Sequence, residues 1–314
     1  MRLKRIGTAA VILATAFLLG ACARFEQKLF DGGLSVERWR SGLTSRTVPV
    51  DGDVISYLER KGEGDPIVLV HGFGANKDAW IHFVRYLPKK FRIVVIDLPG
   101  HGDNRWDMDV SYDTHHFADT FSRTVEFLGL QRFHLAGHSF GGYVALLYAV
   151  NHPNKVITLG LFASAGVVSP TLTDFQRALV TRGKKPITVD SKESFDRMMD
   201  LLFYHKPFTP WPMRSVILRQ CLERNEFEKK IWHDIGKDWQ DATVLLPQIR
   251  QPVFLLWGDK DRILHISCVD VYRRYLPQAE TVIIKDCGHG LIFEKPKETA
   301  RAYVNFLQSA KTKE

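Results

Sequence analysis

The stretch that decides the fold is Gly137-His138-Ser139-Phe140-Gly141-Gly142, which joins the apolar run Phe133–Ala136 to a segment of helical periodicity. Between a strand and a helix, Gly-x-Ser-x-Gly predicts a sharp turn that exposes the serine hydroxyl. Ser139 is then the candidate nucleophile, and the Phe140 N–H at the helix N-terminus can face developing negative charge. An inert glycine-rich turn and a phosphate-binding turn are the alternatives. The second lacks the Gly-x-Gly-x-x-Gly spacing and a Walker lysine.

On both sides of this turn, short apolar runs alternate with segments of helical periodicity. The predicted strands are Ile67–Val70, Ile93–Ile96, Phe133–Ala136, Ile157–Phe162, Val253–Trp257 and Thr281–Ile284. The predicted helices are Ala79–Leu87, His115–Leu128, Gly141–Asn151, Ser267–Tyr275 and Thr299–Leu307. Near-continuous Val, Ile and Leu runs are typical of strands buried on both faces of a parallel sheet. The alternation predicts an α/β fold with a doubly wound, mostly parallel sheet, and Asp51-Gly52 predicts a hairpin before it.

One long segment, from about residue 166 to residue 247, interrupts the alternation with helical and irregular sequence and no convincing strand. It is too long for a bare loop, so we predict a helical cap inserted between two strands. Apolar residues concentrate beside prolines in its middle: Leu201, Leu202, Phe203, Tyr204, Phe208 and Trp211. Most of these side chains are expected to form the cap's own core. Phe208 and Trp211 are the candidates for lining a channel above Ser139 and binding substrate.

A glycine-rich turn after another predicted strand offers a partner for Ser139. His71-Gly72-Phe73-Gly74 directly follows Ile67–Val70. Acyl transfer needs a second N–H to share the oxyanion with that of Phe140, and the Phe73 N–H can supply it. The alternative is a plain tight turn. His71 is expected to hold this turn rather than to act as a base.

The base and the acid are predicted from two loops near the C-terminus. His289, in Asp286-Cys287-Gly288-His289-Gly290, lies just past the last predicted strand, at the sheet edge where open α/β folds hold their sites. Asp259 and Asp261 follow the strand Val253–Trp257. Either carboxylate can accept the His289 Nδ1–H and so fix the histidine tautomer. The chain order serine, acid, histidine also matches that of serine nucleophiles on a strand-to-helix turn.

Five ordered motifs over about residues 48–310 resemble those of the α/β-hydrolase family. They are His71-Gly72-Phe73-Gly74, Asp97-Leu98-Pro99-Gly100-His101-Gly102, Gly137-His138-Ser139-Phe140-Gly141-Gly142, Gly258-Asp259-Lys260-Asp261 and Gly288-His289. In that family the acid stands last in the Gly-x-x-Asp pattern, which implies Asp261. The family's oxyanion donors correspond to the backbone N–H groups of Phe73 and Phe140.

Three further motifs carry a narrower likeness: Asn76-Lys77-Asp78, Ser164-Ala165-Gly166 and Tyr204-His205-Lys206-Pro207-Phe208. They resemble those of a subgroup that contains bacterial lipase 1 proteins and monoacylglycerol lipases of the α/β-hydrolase-domain type. The resemblance implies a serine hydrolase that cleaves carboxylic esters of acyl glycerols or other lipids through an acyl-enzyme, with no metal or cofactor. A carbon–carbon bond hydrolase of the same fold and a noncatalytic surface lipoprotein are the alternatives.

The N-terminus has the pattern of an export signal, with three basic residues before the apolar run 6–19. That run is shorter than the roughly 20 residues of a membrane span. Leu19-Gly20-Ala21-Cys22 resembles a bacterial lipobox. This predicts a lipoprotein signal peptide at 1–21, acylation of Cys22, a tether at 22–46 and the hydrolase domain at 47–314. An ordinary signal cut near Ala21 or Ala23 and an uncleaved anchor are the alternatives.

The net charge and the predicted export limit the kinds of partner that the protein can have. Removing residues 1–21 takes away three basic residues and no acidic ones, which lowers the formal net charge from +8 to +5. The remaining basic residues are mixed with acids, which favours a solvated surface over a nucleic-acid face. We expect a lipid or small ester substrate and attachment to a membrane, with Ala23 implying the outer membrane, facing the periplasm or cell surface. Cys221, Cys268 and Cys287 lack zinc-ligand spacing and are expected to be mostly buried.

Overall fold

A computed structural model describes residues 2–182 and 188–311, with side chains described for 20–178 and 188–311. The strands are β1 (Thr44–Val50), β2 (Asp53–Arg60), β3 (Gly64–Val70), β4 (Phe91–Ile96), β5 (Phe133–His138), β6 (Val156–Phe162), β7 (Val253–Gly258) and β8 (Glu280–Ile284). The helices are α1 (Arg2–Arg40), α2 (Ile81–Val84), α3 (Thr114–Phe127), α4 (Phe140–Asn151), α5 (Asp174–Arg182), α6 (Lys192–Leu202), α7 (Met213–Ile235), α8 (Cys268–Tyr275), α9 (Leu291–Glu294) and α10 (Pro296–Lys311).

The predicted doubly wound, mostly parallel sheet is confirmed. Eight strands lie in the order β1-β2-β4-β3-β5-β6-β7-β8. The pairs β1–β2 and β2–β4 are antiparallel, and all the others are parallel. The hairpin between β1 and β2 is confirmed too, because Asp51 and Gly52 both take the positive φ that its tight turn requires. Helices α3 and α4 pack together, whereas α2, α9 and α10 form a second group.

Strand register brings the predicted site loops to one edge of the sheet. Val70 at the end of β3 pairs with Gly137 near the end of β5, and Gly258 of β7 pairs with Ile284 of β8. The interiors of β3 to β7 are buried on both faces, as the Val, Ile and Leu runs predict, with Ile67 to Val70 fully excluded from solvent. The same prediction is wrong for β8, where Ile283 is 40% exposed, because β8 lies at the edge of the sheet. The loops that follow β3, β5, β7 and β8 therefore lie close together at one edge of the sheet.

The insertion between β6 and β7 contains α5, α6 and α7 and, among its described residues, no strand. It has a small apolar core of its own, formed by Val189, Phe195, Met199 and Phe203. Phe293, which follows the last strand, packs against that cluster. The cap is thus seated on the end of the sheet that carries the predicted site loops.

The helix predicted at Ala79–Leu87 is shorter in the structure. A 3-10 turn over Lys77–Trp80 precedes the single turn of α2. The Asn76 side chain caps that 3-10 turn by accepting the Asp78 N–H at 2.9 Å. Pro88 ends the helical stretch, because the residue before a proline disfavours helical backbone.

The segment predicted as a tether at 22–46 is helical up to Arg40, and β1 already begins at Thr44. Helix α1 contacts both the body and the cap: Arg38 forms two 2.6 Å hydrogen bonds with Asp78, and Glu26 accepts from Trp211 Nε1 at 3.0 Å. Most of the predicted signal peptide 1–21 lies outside the residues with described side chains. Among the described residues, no helix combines the length and apolar character needed to cross a membrane.

Candidate active site

Ser139 lies at the tip of the turn between β5 and α4, half-buried, with φ 55° and ψ −121°. Few residues other than glycine adopt such a backbone, and strain of this kind concentrates at functional sites. Hydrogen bonds hold it: the Ser139 N–H donates to the Phe162 carbonyl at 2.9 Å, and the Ser139 carbonyl accepts from Ala165 at 3.0 Å. The neighbouring glycines are required, because a Cβ on Gly137 would lie 2.1 Å from the Gly141 carbonyl oxygen.

The turn after β3 runs directly against Ser139. A Cβ on Gly72 would lie 3.1 Å from the Ser139 Cβ, so a side chain at this position would crowd the candidate nucleophile. Phe73 follows, and its ring contacts Trp232 of α7 edge-on with centroids 5.4 Å apart. Phe140 is the first residue of α4, so its N–H is one of the donors left free at a helix N-terminus.

His289 and Asp261 form a buried pair at the same edge. The His289 Nδ1 lies 2.8 Å from Asp261 Oδ2, and the two residues are 2% and 4% exposed. The other carboxylate oxygen accepts the backbone N–H groups of Ile263 and Leu264, each at 2.8 Å. Because an ionised carboxylate only accepts hydrogen bonds, the Nδ1 carries a proton, and in the neutral imidazole the Nε2 then presents a lone pair.

Asp259 has a different place from Asp261. Its Oδ1 accepts the backbone N–H of Cys287 at 3.3 Å, and its Oδ2 lies 3.2 Å from the Lys260 ammonium. The sequence left two aspartates in competition near the histidine. In the structure Asp261 contacts the His289 ring, whereas Asp259 holds the loop that leads to it.

His138, which precedes Ser139, links the serine turn to the histidine loop. Its Nε2–H donates to the His289 carbonyl at 2.8 Å, and the two ring centroids are 4.9 Å apart. Burial lowers the pKa of His138 to about 3, so the ring stays neutral at physiological pH. No local sequence signal indicates this long-range partner of His138.

Two further histidines hold backbone turns, and for His71 the sequence predicts this role. His71 bonds the Gly72 carbonyl through Nδ1 at 2.8 Å and accepts the Leu98 N–H on Nε2 at 3.0 Å. His101 bonds the Pro99 carbonyl at 2.8 Å, and burial lowers the pKa of its imidazole to about 4. Both histidines therefore serve as neutral hydrogen-bonding groups.

A buried ion pair fixes the start of the segment that follows the turn at residues 71–74. The Lys77 ammonium lies 2.7 Å from Asp97, and both side chains are almost fully excluded from solvent. Burial raises the pKa of Asp97 to about 6, against the opposing effect of Lys77. Breaking such a pair leaves one uncompensated charge in the interior, so it constrains the loop strongly.

Comparison with known proteins identifies the family of this chain. The sequence profile of the alpha/beta hydrolase family matches residues 67–302, about three quarters of the chain. The chain belongs to the alpha/beta hydrolase family. Its family and its relatives, which are named lipase and monoacylglycerol lipase, show that it is an ester hydrolase of the lipase and esterase type.

Three similar proteins place this alpha/beta hydrolase within the family. Lipase 1 of Psychrobacter immobilis is 29% identical over 87% of each chain. The human monoacylglycerol lipase ABHD6 is 30% identical over 81% of this chain and 78% of its own. The crystal structure of a bacterial membrane phospholipase A superposes with a TM-score of 0.89 at 34% identity, covering 98% of this chain and 99% of the other.

The remaining predicted site residues of this alpha/beta hydrolase lie on its surface. Phe208 is 88% exposed and Trp211 is 59% exposed, so neither side chain is enclosed above Ser139. Cys22 is exposed on α1.

The other three cysteines are mostly buried, as predicted. Cys268 and Cys287 are fully buried, and Cys221 is half-buried.

One residue of the site was missed by sequence reasoning altogether. Glu294, at the end of α9, accepts the backbone N–H of Gly288 at 3.0 Å and that of His205 in the cap at 2.8 Å. A signal was available, because Glu294 closely follows His289 in the sequence. Its partners in the cap could not be inferred from spacing.

Proposed function

We propose that the protein hydrolyses carboxylic esters of lipids, with Ser139 as nucleophile, His289 as general base and Asp261 orienting the histidine. The observation that carries the proposal is the buried 2.8 Å contact between His289 Nδ1 and Asp261. It leaves Nε2 as the basic nitrogen in a loop that His138, the neighbour of Ser139, holds by hydrogen bonding. A nucleophile, a base and an orienting acid at one sheet edge form the triad arrangement.

In the first half-reaction the Ser139 Oγ attacks the ester carbonyl carbon while His289 Nε2 takes its proton. The carbonyl electrons move to oxygen, and the N–H groups of Phe73 and Phe140 stabilise that oxyanion. Collapse of the intermediate breaks the bond to the leaving alcohol, which receives the proton from His289. An acyl group then remains on Ser139.

In the second half-reaction water replaces the alcohol. His289 takes a proton from the water as its oxygen attacks the acyl carbon, and the same N–H groups stabilise the second oxyanion. Collapse releases the carboxylic acid and returns the proton to Ser139. Asp261 stays ionised and stabilises the transient imidazolium, and the reaction requires no metal or cofactor.

For the substrate we propose acyl glycerols or related lipid esters, including phospholipids. Support comes from the proteins named lipase, monoacylglycerol lipase and phospholipase to which the chain is similar. The exposed rings of Phe208 and Trp211 lie in the cap, and Trp211 contacts the N-terminal helix through Glu26. We propose that these rings meet the acyl chain at the mouth of the site.

Acyl-chain preference tests the substrate class. We expect kcat/KM to rise from acetyl to medium-chain esters, with monoacylglycerols among them, because each buried methylene contributes about 0.8 kcal/mol. Rates would be measured on a p-nitrophenyl and monoacylglycerol series from acetyl to palmitoyl.

The matched control replaces an aromatic ring outside the cap. Phe208→Ala and Trp211→Ala should flatten the dependence on chain length, whereas Phe127→Ala, also at an exposed ring, should leave it unchanged. A steady fall of kcat/KM from acetyl onward would remove the lipid assignment and leave a general esterase.

We further propose that the protein is exported and held at a membrane, in the outer membrane if sorting follows Ala23, by acylation of Cys22. Cys22 is exposed on α1, and α1 reaches both the cap and the body through Glu26 and Arg38. An anchor at this helix would hold the cap close to the lipid surface.

The anchor is tested at Cys22. We expect the N-terminal peptide of the wild-type protein to begin at Cys22 and to carry the mass of more than one acyl chain. A single chain binds a membrane only weakly, whereas several chains attach a protein firmly. Cys22→Ala should lose the acyl mass and should no longer be found in the membrane fraction. Cys221→Ala is the control, which should keep the acyl mass and stay in the membrane fraction. A wild-type peptide without acyl mass would contradict the lipoprotein assignment, and one starting at Met1 would point to an uncleaved anchor.

A further inference from the structure

Glu294 joins the cap to the loop that carries His289. Its carboxylate accepts three backbone N–H groups: Oε2 accepts those of Gly288 at 3.0 Å and Tyr204 at 3.1 Å, and Oε1 accepts that of His205 at 2.8 Å. Hydrogen bonds to an ionised acceptor are roughly twice as strong as neutral ones. One side chain thus holds Gly288, the residue before His289, and two cap residues, Tyr204 and His205, that lie just beyond the end of α6.

Backbone contacts reinforce this junction. The Gly290 N–H donates to the Leu202 carbonyl at 2.9 Å. A Cβ on Gly290 would lie 2.3 Å from the Phe203 ring, and one on Gly288 would lie 2.7 Å from the Tyr204 nitrogen. Both glycines that flank His289 are therefore packed so closely against the cap that neither position has room for a side chain.

This junction matters because His289 lies in the short loop between β8 and α9, so contacts to that loop fix its position. Asp259 holds the loop at Cys287, and His138 holds it at the His289 carbonyl. Glu294 supplies the constraint at Gly288, between these two points, and its other two donors belong to the cap. Displacing the cap would withdraw two of the three donors from the carboxylate that fixes Gly288.

We propose that Glu294 is a positioning residue for His289 and that it couples the seating of the cap to the geometry of the base. This inference rests on the proposed function, in which His289 is the base. Glu294 touches neither substrate nor the imidazole ring. It acts through the loop backbone, so its effect falls on the chemical step rather than on substrate affinity.

The test compares Glu294→Gln, Glu294→Ala and the control Glu298→Gln, whose side chain is exposed on the neighbouring helix α10. A glutamine can keep its oxygen at the Oε2 position and lose only the His205 bond, whereas alanine loses all three bonds. We expect kcat on a short, soluble p-nitrophenyl ester to fall about tenfold in the glutamine variant and about a hundredfold in the alanine variant, since small misplacements of catalytic groups have effects of that order. KM should stay near the wild-type value.

A second readout reports on geometry directly. The downfield proton resonance of the His289 Nδ1–H hydrogen bond to Asp261 should shift or broaden in the same order, and the control should match wild type in both readouts. A folded Glu294→Ala protein with wild-type kcat and resonance would overturn the inference, as would a rise in KM alone. If the alanine variant does not fold, the glutamine variant decides by the same criteria.

The two proposals fail in different ways. A wild-type protein with no turnover of any ester would overturn the proposed function, while the resonance would still report whether Glu294 positions His289. An active wild-type protein with unchanged Glu294 variants would overturn only the inference.

Discussion

Ser139→Ala is expected to lower turnover of p-nitrophenyl esters by about 10⁴- to 10⁶-fold, the range found when a member of a catalytic triad is removed. Alanine keeps the backbone position at the end of β5 but removes the oxygen that attacks the ester. His289→Ala should lose a similar factor, because neither residue works without the other. The measurement is kcat on purified variants, with circular dichroism to verify the fold.

Two comparisons make this result specific. The double variant Ser139→Ala/His289→Ala should be no slower than either single variant, since residues that act as one unit give non-additive losses. Ser35→Ala, at an exposed helical serine whose hydroxyl bonds the Asp31 carbonyl, should retain wild-type activity. Near-native turnover by a folded Ser139→Ala protein would contradict the assignment of the nucleophile.

Asp261→Asn is expected to reduce kcat by about 10⁴-fold, as removal of the orienting carboxylate does in this type of triad. An asparagine can turn its amide N–H₂ toward His289 Nδ1. The ring would then adopt the tautomer with a proton on Nε2, and that nitrogen could no longer take the proton of Ser139. The backbone N–H groups of Ile263 and Leu264 would still find the amide oxygen, so the fold should persist.

Asp259→Asn is the matched control for this prediction. Its carboxylate holds the Cys287 N–H and Lys260, so its amide should disturb the loop only slightly and cost less than about tenfold in kcat, well below the loss for a triad member. Both variants would be assayed together across a range of pH. A larger loss from Asp259→Asn than from Asp261→Asn would show that the acid was wrongly chosen.

Much of the fold could be predicted because its signals are local. The buried strands are continuous runs of Val, Ile and Leu, and the Ser139 turn needs glycines at fixed positions. The cap was recognisable as a stretch between Phe162 and Val253 without a strand pattern. Register and parallel order then bring the loops of Phe73, Ser139, Asp261 and His289 to one edge.

The parts that were missed depend on contacts between distant residues. No pattern around Glu26 indicates that it accepts from Trp211, and no pattern around Glu294 indicates its bond to His205. The choice between Asp259 and Asp261 needed a resemblance, because two carboxylates two residues apart look alike until the chain turns. Phe208 is 88% exposed rather than enclosed, and the sequence could not predict this, because an apolar side chain in a proline-rich segment carries no information about which way it faces.

The measurement that tests the central claim most directly is covalent labelling of the native protein with a fluorophosphonate, followed by mass mapping of the adduct. The reagent reacts with a serine only where a base activates it and an oxyanion site stabilises the adduct. We expect one adduct, on the peptide containing Ser139, and strongly reduced labelling in His289→Ala and in heat-unfolded protein. An unlabelled, folded wild-type protein, or an adduct on another residue, would contradict it.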